Sequence, residues 1–102
     1  MEMKYIVVKG HHEDAGEQEV PLLFPYVVVH RDMADVFYRN RDIRMQKVVA
    51  AGFVYWDKQG QAVCHGMSES LNIKSRPEQD AKLINGLQLN WSCTRVQANV
   101  RA

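Results

Sequence analysis

The chain has 102 residues, enough for one folded domain and too few for two. Apolar residues make up 46% and charged residues 25%, which is ordinary for a globular protein, and a chain of this size can form a core without metals or disulfides. Thirteen basic residues against twelve acidic ones give a net charge of +1, which argues against a dedicated nucleic-acid binder, because such proteins rely on excess positive charge.

The first half of the chain predicts two strands. Residues 5–8 are largely β-branched and indicate a short strand, and the polar stretch 11–18 that follows indicates a loop. Residues 20–25 form a second apolar run. Because Pro21 has no backbone N–H to donate, we expect this run to be an edge strand. Whether residues 26–29 prolong it stays open.

A helix is predicted from His30 to about Asn40, where the period of the apolar residues changes. Its apolar residues recur at helical spacing, at Met33, Val36 and Phe37. A basic connector then leads towards the second half of the chain.

A hairpin is the clearest prediction of the second half. Residues 48–56 indicate a long strand, Asp57 to Gly60 a turn, and residues 61–73 the returning strand. If Trp56 pairs with Gln61, Gly52 lies opposite His65. A second helix follows, with Ser75 as its N-cap, Pro77 in its first turn, Glu78 completing a capping box and Gly86 as C-cap. Its predicted buried stripe is Ala81, Leu83, Ile84 and Leu87.

These elements predict a single α+β domain over residues 1–102, in the order ββαββα. Each helix has one apolar stripe to bury. We therefore expect a mostly antiparallel sheet with both helices packed on one face.

The hairpin supplies the candidate interface. Phe53 and Tyr55 share one face of the strand, while Val54 and Trp56 point to the other. Tyrosine and tryptophan are enriched at binding sites, so the less covered aromatic face is a candidate for a protein partner or a homodimer, with coverage by residues from Trp91 onward as the alternative. Two nearby glycines indicate either close packing or a shallow recess. The candidate interface residues are Gly52, Phe53, Tyr55, Trp56, His65 and Gly66.

The other candidates are weaker. A candidate basic patch consists of Arg39, Arg41, Arg44 and Lys47, although nearby aspartates dilute its charge. The run His11-His12-Glu13-Asp14 holds potential metal ligands, but consecutive residues rarely converge on one ion, so a solvated loop is the better interpretation. Cys64 and His65 are neighbours in a strand and point to opposite faces, which prevents them from acting together. The sequence predicts no metal, cofactor or catalytic residue.

The compartment is indicated by cysteine use and hydrophobicity. Cys64 and Cys93 are fewer cysteines than a small secreted domain usually carries, although a single disulfide between them stays open. No apolar leader follows Met1, and the longest apolar runs are about half of a membrane span. We expect a soluble, cytoplasmic protein with no membrane association.

Parts of the chain resemble small uncharacterised proteins encoded by bacteriophages and prophages of Gram-negative bacteria. The resemblance is carried by residues 50–54 (AGFV-like), 63–71 (CxGxSxSL-like) and 74–81 (SRPExDA-like), and by residues 19–25 followed by His30. It implies a phage setting and no mechanism. Our leading hypothesis is a non-enzymatic protein that binds a host or phage protein through a sheet face or edge. The alternatives are a metal-binding protein or small enzyme that uses His and Cys residues, and a weak nucleic-acid binder that uses the arginines.

Overall fold

A computed structural model describes residues 2–12, 16–38 and 44–87 of the chain. Its centre is a four-stranded sheet in the spatial order β2-β1-β3-β4, in which every pair of neighbours is antiparallel. The strands are β1 (Met3–His12), β2 (Gly16–Phe24), β3 (Arg44–Trp56) and β4 (Ala62–His65). The predicted α+β class and mostly antiparallel sheet are therefore confirmed.

Two helices and a small hairpin complete the described chain. Helix α1 is His30–Tyr38, helix α2 covers residues 77–87, and the hairpin consists of β5 (Met67–Ser68) and β6 (Ile73–Lys74). Within the described residues, both helices fall short of the length and apolar character that a membrane span requires. The order along the described chain is ββαββββα, so the predicted order ββαββα lacks the two short strands.

The helices cover opposite faces of the sheet, which corrects the expectation of a single covered face. Tyr5 and Val7 of β1 pack in one buried cluster with Ile84 of α2. Ile6 and Val8 pack in a second cluster with Ala34 of α1. A central strand buried on both faces reads as a continuous apolar run, and residues 5–8 are such a run. The sheet is thus the middle layer of three.

The first hairpin is longer than the sequence indicates. Strand β1 continues to His12 and pairs with a β2 that begins at Gly16, so most of the predicted loop 11–18 belongs to strands. Backbone pairing extends a hairpin into polar residues, which the apolar pattern cannot reveal. Strand β2 lies at the edge of the sheet, as Pro21 predicts. Residues 26–29 form a turn in which the Val28 N–H donates to the Pro25 carbonyl at 3.0 Å.

Helix α1 begins where predicted, and Met33 of the predicted stripe packs against the buried cluster, but Val36 does not. Ala34 is buried beneath it, whereas Val36, expected in the apolar stripe, is 65% exposed. The predicted end near Asn40 lies outside the described residues.

The β3–β4 hairpin has the predicted turn with a register one residue away. Gly60 has φ +78°, and its N–H donates to the Asp57 carbonyl at 3.0 Å. Trp56 pairs with Ala62 rather than Gln61, which places His65 opposite Phe53. The predicted returning strand is wrong beyond His65, because Gly66 at φ +78° takes the chain out of the strand.

Helix α2 begins one residue later than its sequence signals indicate. The Asp80 N–H donates to the Arg76 carbonyl at 2.8 Å, which makes Arg76 the N-cap and Pro77 the first helical residue. The Ser75 hydroxyl donates instead to the Gly66 carbonyl at 2.7 Å. Gly86 is not a left-handed C-cap, since the helix continues through residue 87.

Candidate functional site

Phe53 lies at the centre of a group of rings that we call the aromatic cluster. Its ring centroid is 5.7 Å from that of Tyr26, 5.6 Å from His30 and 5.8 Å from His65. Tyr55 joins through His65, at 5.9 Å. These separations are typical of favourable aromatic pairs. The cluster draws on the turn before α1, on α1 itself and on the β3–β4 hairpin.

Gly66 makes room for the central ring. A Cβ atom built at this position would lie 2.9 Å from Cδ2 of Phe53, closer than real contacts allow. The residue also has φ +78°, a conformation that other residues adopt only at a cost. The bare backbone at Gly66 therefore lets Phe53 lie against the end of β4.

His30 pins the start of α1 to the sheet. Its Nε2–H donates to the Gly52 carbonyl at 2.9 Å, and its ring meets Phe24 and Phe53 edge-on. Burial lowers the pKa of His30 below its ordinary value, and the positive charge of Lys4 lowers it further, although the bond to Gly52 acts in the opposite direction. The imidazole is consequently a neutral structural group at neutral pH.

His65 is an exposed member of the cluster, as are Tyr26 and Tyr55. Its ring stacks on Phe53 with an interplanar angle of 29°, and its Nε2 lies 2.7 Å from a carboxylate oxygen of Glu2. Both partners of this pair are substantially exposed, so the pair orients the ring rather than adding much stability.

Part of the cluster continues into an exposed surface that we call the apolar patch: Tyr26, Val27, Val29 and Tyr55. Their exposed fractions are 54%, 89%, 45% and 40%. Three of the four lie in the turn that leads into α1, and the rings of Tyr26 and Tyr55 extend the patch over the aromatic cluster. Scattered apolar residues are normal on a surface, whereas a contiguous group of this kind marks an interaction site more often.

A cavity of about 530 Å³ lies beside the apolar patch. Val29, Phe53 and Met67 provide its apolar walls, and Lys4, His30 and Glu69 its polar groups. The Lys4 ammonium donates to the Val28 carbonyl at 3.0 Å and lies 5.1 Å from the ring centroid of Tyr26. The Ser70 hydroxyl, at the edge of the cavity, accepts from the Arg31 N–H at 3.2 Å and so caps α1 from another segment.

A network of hydrogen bonds and ion pairs lies on the other face of the sheet, between β1, β2 and α2. The Tyr5 hydroxyl donates to Asp80 at 2.5 Å, and Arg76 donates to the same carboxylate through its backbone N–H and Nε at 2.7 and 3.0 Å. Arg76 also pairs with Glu19 of β2 at 2.8 Å. Burial, together with the Asp80 carboxylate, raises the pKa of Tyr5, so its hydroxyl stays protonated. Tyr5 and Asp80 are both fully buried, so this network holds elements together.

The structure brings together four of the six candidate interface residues. These four lie in contact around the Phe53 and His65 rings, on the face that the sequence predicts for Phe53 and Tyr55: Phe53, Tyr55, His65 and Gly66. Trp56 packs on the opposite face, against the cluster beneath α2. Gly52 is buried: a Cβ there would lie 2.6 Å from the His65 carbonyl oxygen and 3.1 Å from Cβ of Ser75, so close packing and no recess explains this glycine.

The basic patch remains a prediction. Arg39 and Arg41 lie outside the described residues, Arg44 begins β3, and Lys47 is exposed on the same strand.

The histidine and cysteine candidates lie apart. His30 belongs to the α1 face of the sheet, whereas Cys64 packs with Ile84 on the α2 face. His11 is exposed on β1, and Glu13 and Asp14 lie outside the described residues. Among the side chains that the structure describes, no three histidine, cysteine or acidic residues are close enough to hold a metal ion.

Sequence reasoning missed Lys4, Tyr26 and Asp80. A signal for Asp80 exists, since it lies four residues before Ile84 and so on the buried stripe of α2. No local signal marks Lys4 or Tyr26, because their neighbours come from distant parts of the chain. Comparisons of the chain with protein-family models, with curated proteins and with solved structures found no match.

Proposed function

We propose that this chain is a non-enzymatic interaction domain that binds a protein partner through the apolar patch. The observation that carries the proposal is the exposure of Tyr26, Val27 and Val29 in one turn that adjoins the aromatic cluster: Tyr26 packs on Phe53, and Val29 lines a cavity with it. Tyrosine side chains at the centre of a patch offer large contact areas at a small entropic cost. The resemblance to phage and prophage proteins supports a phage or prophage origin and a host or phage protein as the partner.

The protected edges of the sheet favour binding through the apolar patch over binding of the partner as an added strand. On the outer side of β4, the Ala62 N–H donates to the side chain of Asn85 at 2.9 Å. The Gly66 carbonyl, just beyond β4, accepts from both the N–H and the hydroxyl of Ser75. Strand β2 carries Pro21 at the other edge. Edges protected in this way are poor templates for an added strand.

A capture experiment tests the proposal with a matched pair of variants. Val27→Ser makes the most exposed position of the patch polar, and Val36→Ser makes the same change on the outer side of α1. Both positions are exposed, so we expect each variant to keep its free energy of unfolding within about 0.5 kcal/mol of the wild type. Each immobilised protein is exposed to lysate of a Gram-negative host, and the retained proteins are identified by mass spectrometry.

We expect a defined protein to be retained by the wild type and by Val36→Ser and to be lost with Val27→Ser. Retention of the same proteins by both variants would show that the patch is not the binding surface. Sedimentation equilibrium of the purified wild type distinguishes a second copy of the chain from a different partner, because only self-association changes its mass with concentration.

A further inference from the structure

The cavity beside the apolar patch combines apolar walls with a positive charge. Phe53 and Met67 provide an aromatic ring and a flexible thioether, which adapt to an inserted aliphatic group. Its volume of about 530 Å³ lies within the range of sites that bind small molecules. The volume leaves room for one anchoring residue of a partner, and the lining suits an apolar side chain.

Lys4 brings the charge to the cavity. One of the three N–H donors of its ammonium goes to the Val28 carbonyl, which leaves two. In the described part of the chain, no carboxylate lies within ion-pair distance of Lys4. The ammonium is held in place by the Val28 carbonyl and the Tyr26 ring, so its position is set before a ligand arrives. A fixed cation beside an apolar cavity complements a carboxylate beside an apolar side chain.

We propose that this cavity anchors a segment of the protein partner in which an apolar side chain lies next to a carboxylate, as at an apolar C-terminal residue. The side chain enters between Phe53 and Met67, and the carboxylate pairs with Lys4. The inference rests on the proposed function and adds to it the chemistry of the partner segment.

Glu69 modulates this preference from the exposed side of the cavity. Its carboxylate repels an incoming anion, so its removal has the opposite effect to the removal of Lys4. The two residues therefore give changes of opposite sign in one assay, which a merely structural role of either residue would not produce.

The test is an NMR titration of the ¹⁵N-labelled full chain with N-acetyl-L-leucine and with N-acetyl-L-leucinamide. The two probes share the apolar side chain and differ in the carboxylate. We expect saturable shifts of the backbone amides of Val29, Phe53 and Met67, with the amide about three- to five-fold weaker than the acid, as for a partly exposed charge pair.

Variants assign the difference to the charges. Lys4→Gln should bring the affinity for the acid down to that for the amide, whereas Lys58→Gln, at the exposed turn after β3, should leave it unchanged. Glu69→Gln should strengthen binding of the acid and leave the amide unaffected; it also provides the test if Lys4→Gln unfolds.

Each failure has its own signature. Equal affinity for the two probes would overturn carboxylate recognition and leave the proposed function intact. No saturable shift with either probe would overturn the cavity as an anchoring site. The proposed function itself fails only in the capture experiment, if Val27→Ser retains every partner.

Discussion

The Tyr5 hydroxyl donates to the Asp80 carboxylate across 2.5 Å, and this bond joins the first strand to the second helix, 75 positions along the chain. Arg76 holds the same carboxylate from the helix side. Among the described residues, no buried side-chain polar atom lacks a hydrogen-bond partner. The bond therefore belongs to a satisfied buried network, and its loss leaves a buried acceptor with one partner fewer.

Tyr5→Phe should lower the free energy of unfolding by about 1–3 kcal/mol, the usual cost of removing one partner from a buried polar group. Tyr55→Phe is the matched control, because it removes a hydroxyl from a residue that is 40% exposed. We expect the control to change stability by less than about 0.5 kcal/mol. Urea denaturation measures both, and equal losses would contradict the role assigned to Tyr5.

Gly66→Ala should destabilise the protein more than Gly60→Ala. Both glycines have φ +78°, so alanine pays a similar backbone cost of about 1–2 kcal/mol at each position. A Cβ at Gly60 meets nothing within 4 Å, whereas at Gly66 it meets the Phe53 ring at 2.9 Å. Thermal or urea unfolding gives the difference. If the two variants unfold alike, Phe53 moves aside freely and the cluster is less tightly packed than described.

Acidification should lower the free energy of unfolding, because His30 is held neutral in the folded protein. Its pKa is lowered in the folded state, so the unfolded chain binds the proton more tightly. The stability that neutral His30 contributes is complete above its ordinary pKa of 6.5 and is lost as the pH falls from there through the lowered folded value. His30→Gln, which keeps a donor for the Gly52 carbonyl, should lose this part of the pH dependence.

The measurement for His30 is the free energy of unfolding of the two proteins between pH 8 and pH 4. The wild type should lose more stability than His30→Gln below pH 6.5. Parallel curves would mean that His30 titrates equally in the folded and unfolded states.

The Cys64 thiol should resist modification in the folded protein. Burial raises its pKa to about 11 from 9.0; the hydrogen bond with Tyr5 opposes this shift, and the Asp80 charge adds to it. The reactive thiolate is then about 100-fold scarcer than in an exposed cysteine, and the thiol is buried as well. In a Cys93→Ser background, DTNB should react at least about 100-fold more slowly than in urea. A comparable rate in both conditions would place Cys64 at the surface.

Local signals predicted the elements whose residues carry their own conformational preference. Asp57 and Gly60 predicted a turn because glycine takes the positive φ that the turn needs, and Pro21 predicted an edge because it lacks an N–H. The predicted N-cap of α2 was wrong because of a contact with a residue outside the helix. Ser75 is a good N-cap by type, but its hydroxyl is taken by the Gly66 carbonyl.

Half of the candidate site was foreseeable in the same way. The alternation of side chains along a strand placed Phe53 and Tyr55 on one face. The one-residue change of register moved His65 opposite Phe53, and register depends on pairing rather than on the residues of one strand. Tyr26 and Lys4 belong to other segments of the chain. No pattern in the sequence around either residue predicts that they lie beside each other and beside Phe53.

The sequence by itself determined the α+β class, the edge position of β2, the β3–β4 turn and the aromatic side of β3, because backbone stereochemistry and side-chain period decide these locally. The tertiary structure alone decided that the helices lie on opposite faces, that Asp80 is buried against Tyr5, and that an exposed apolar turn meets the rings around Phe53. These are contacts between residues far apart in the chain, and their energies depend on which surfaces the packed layers leave covered or open.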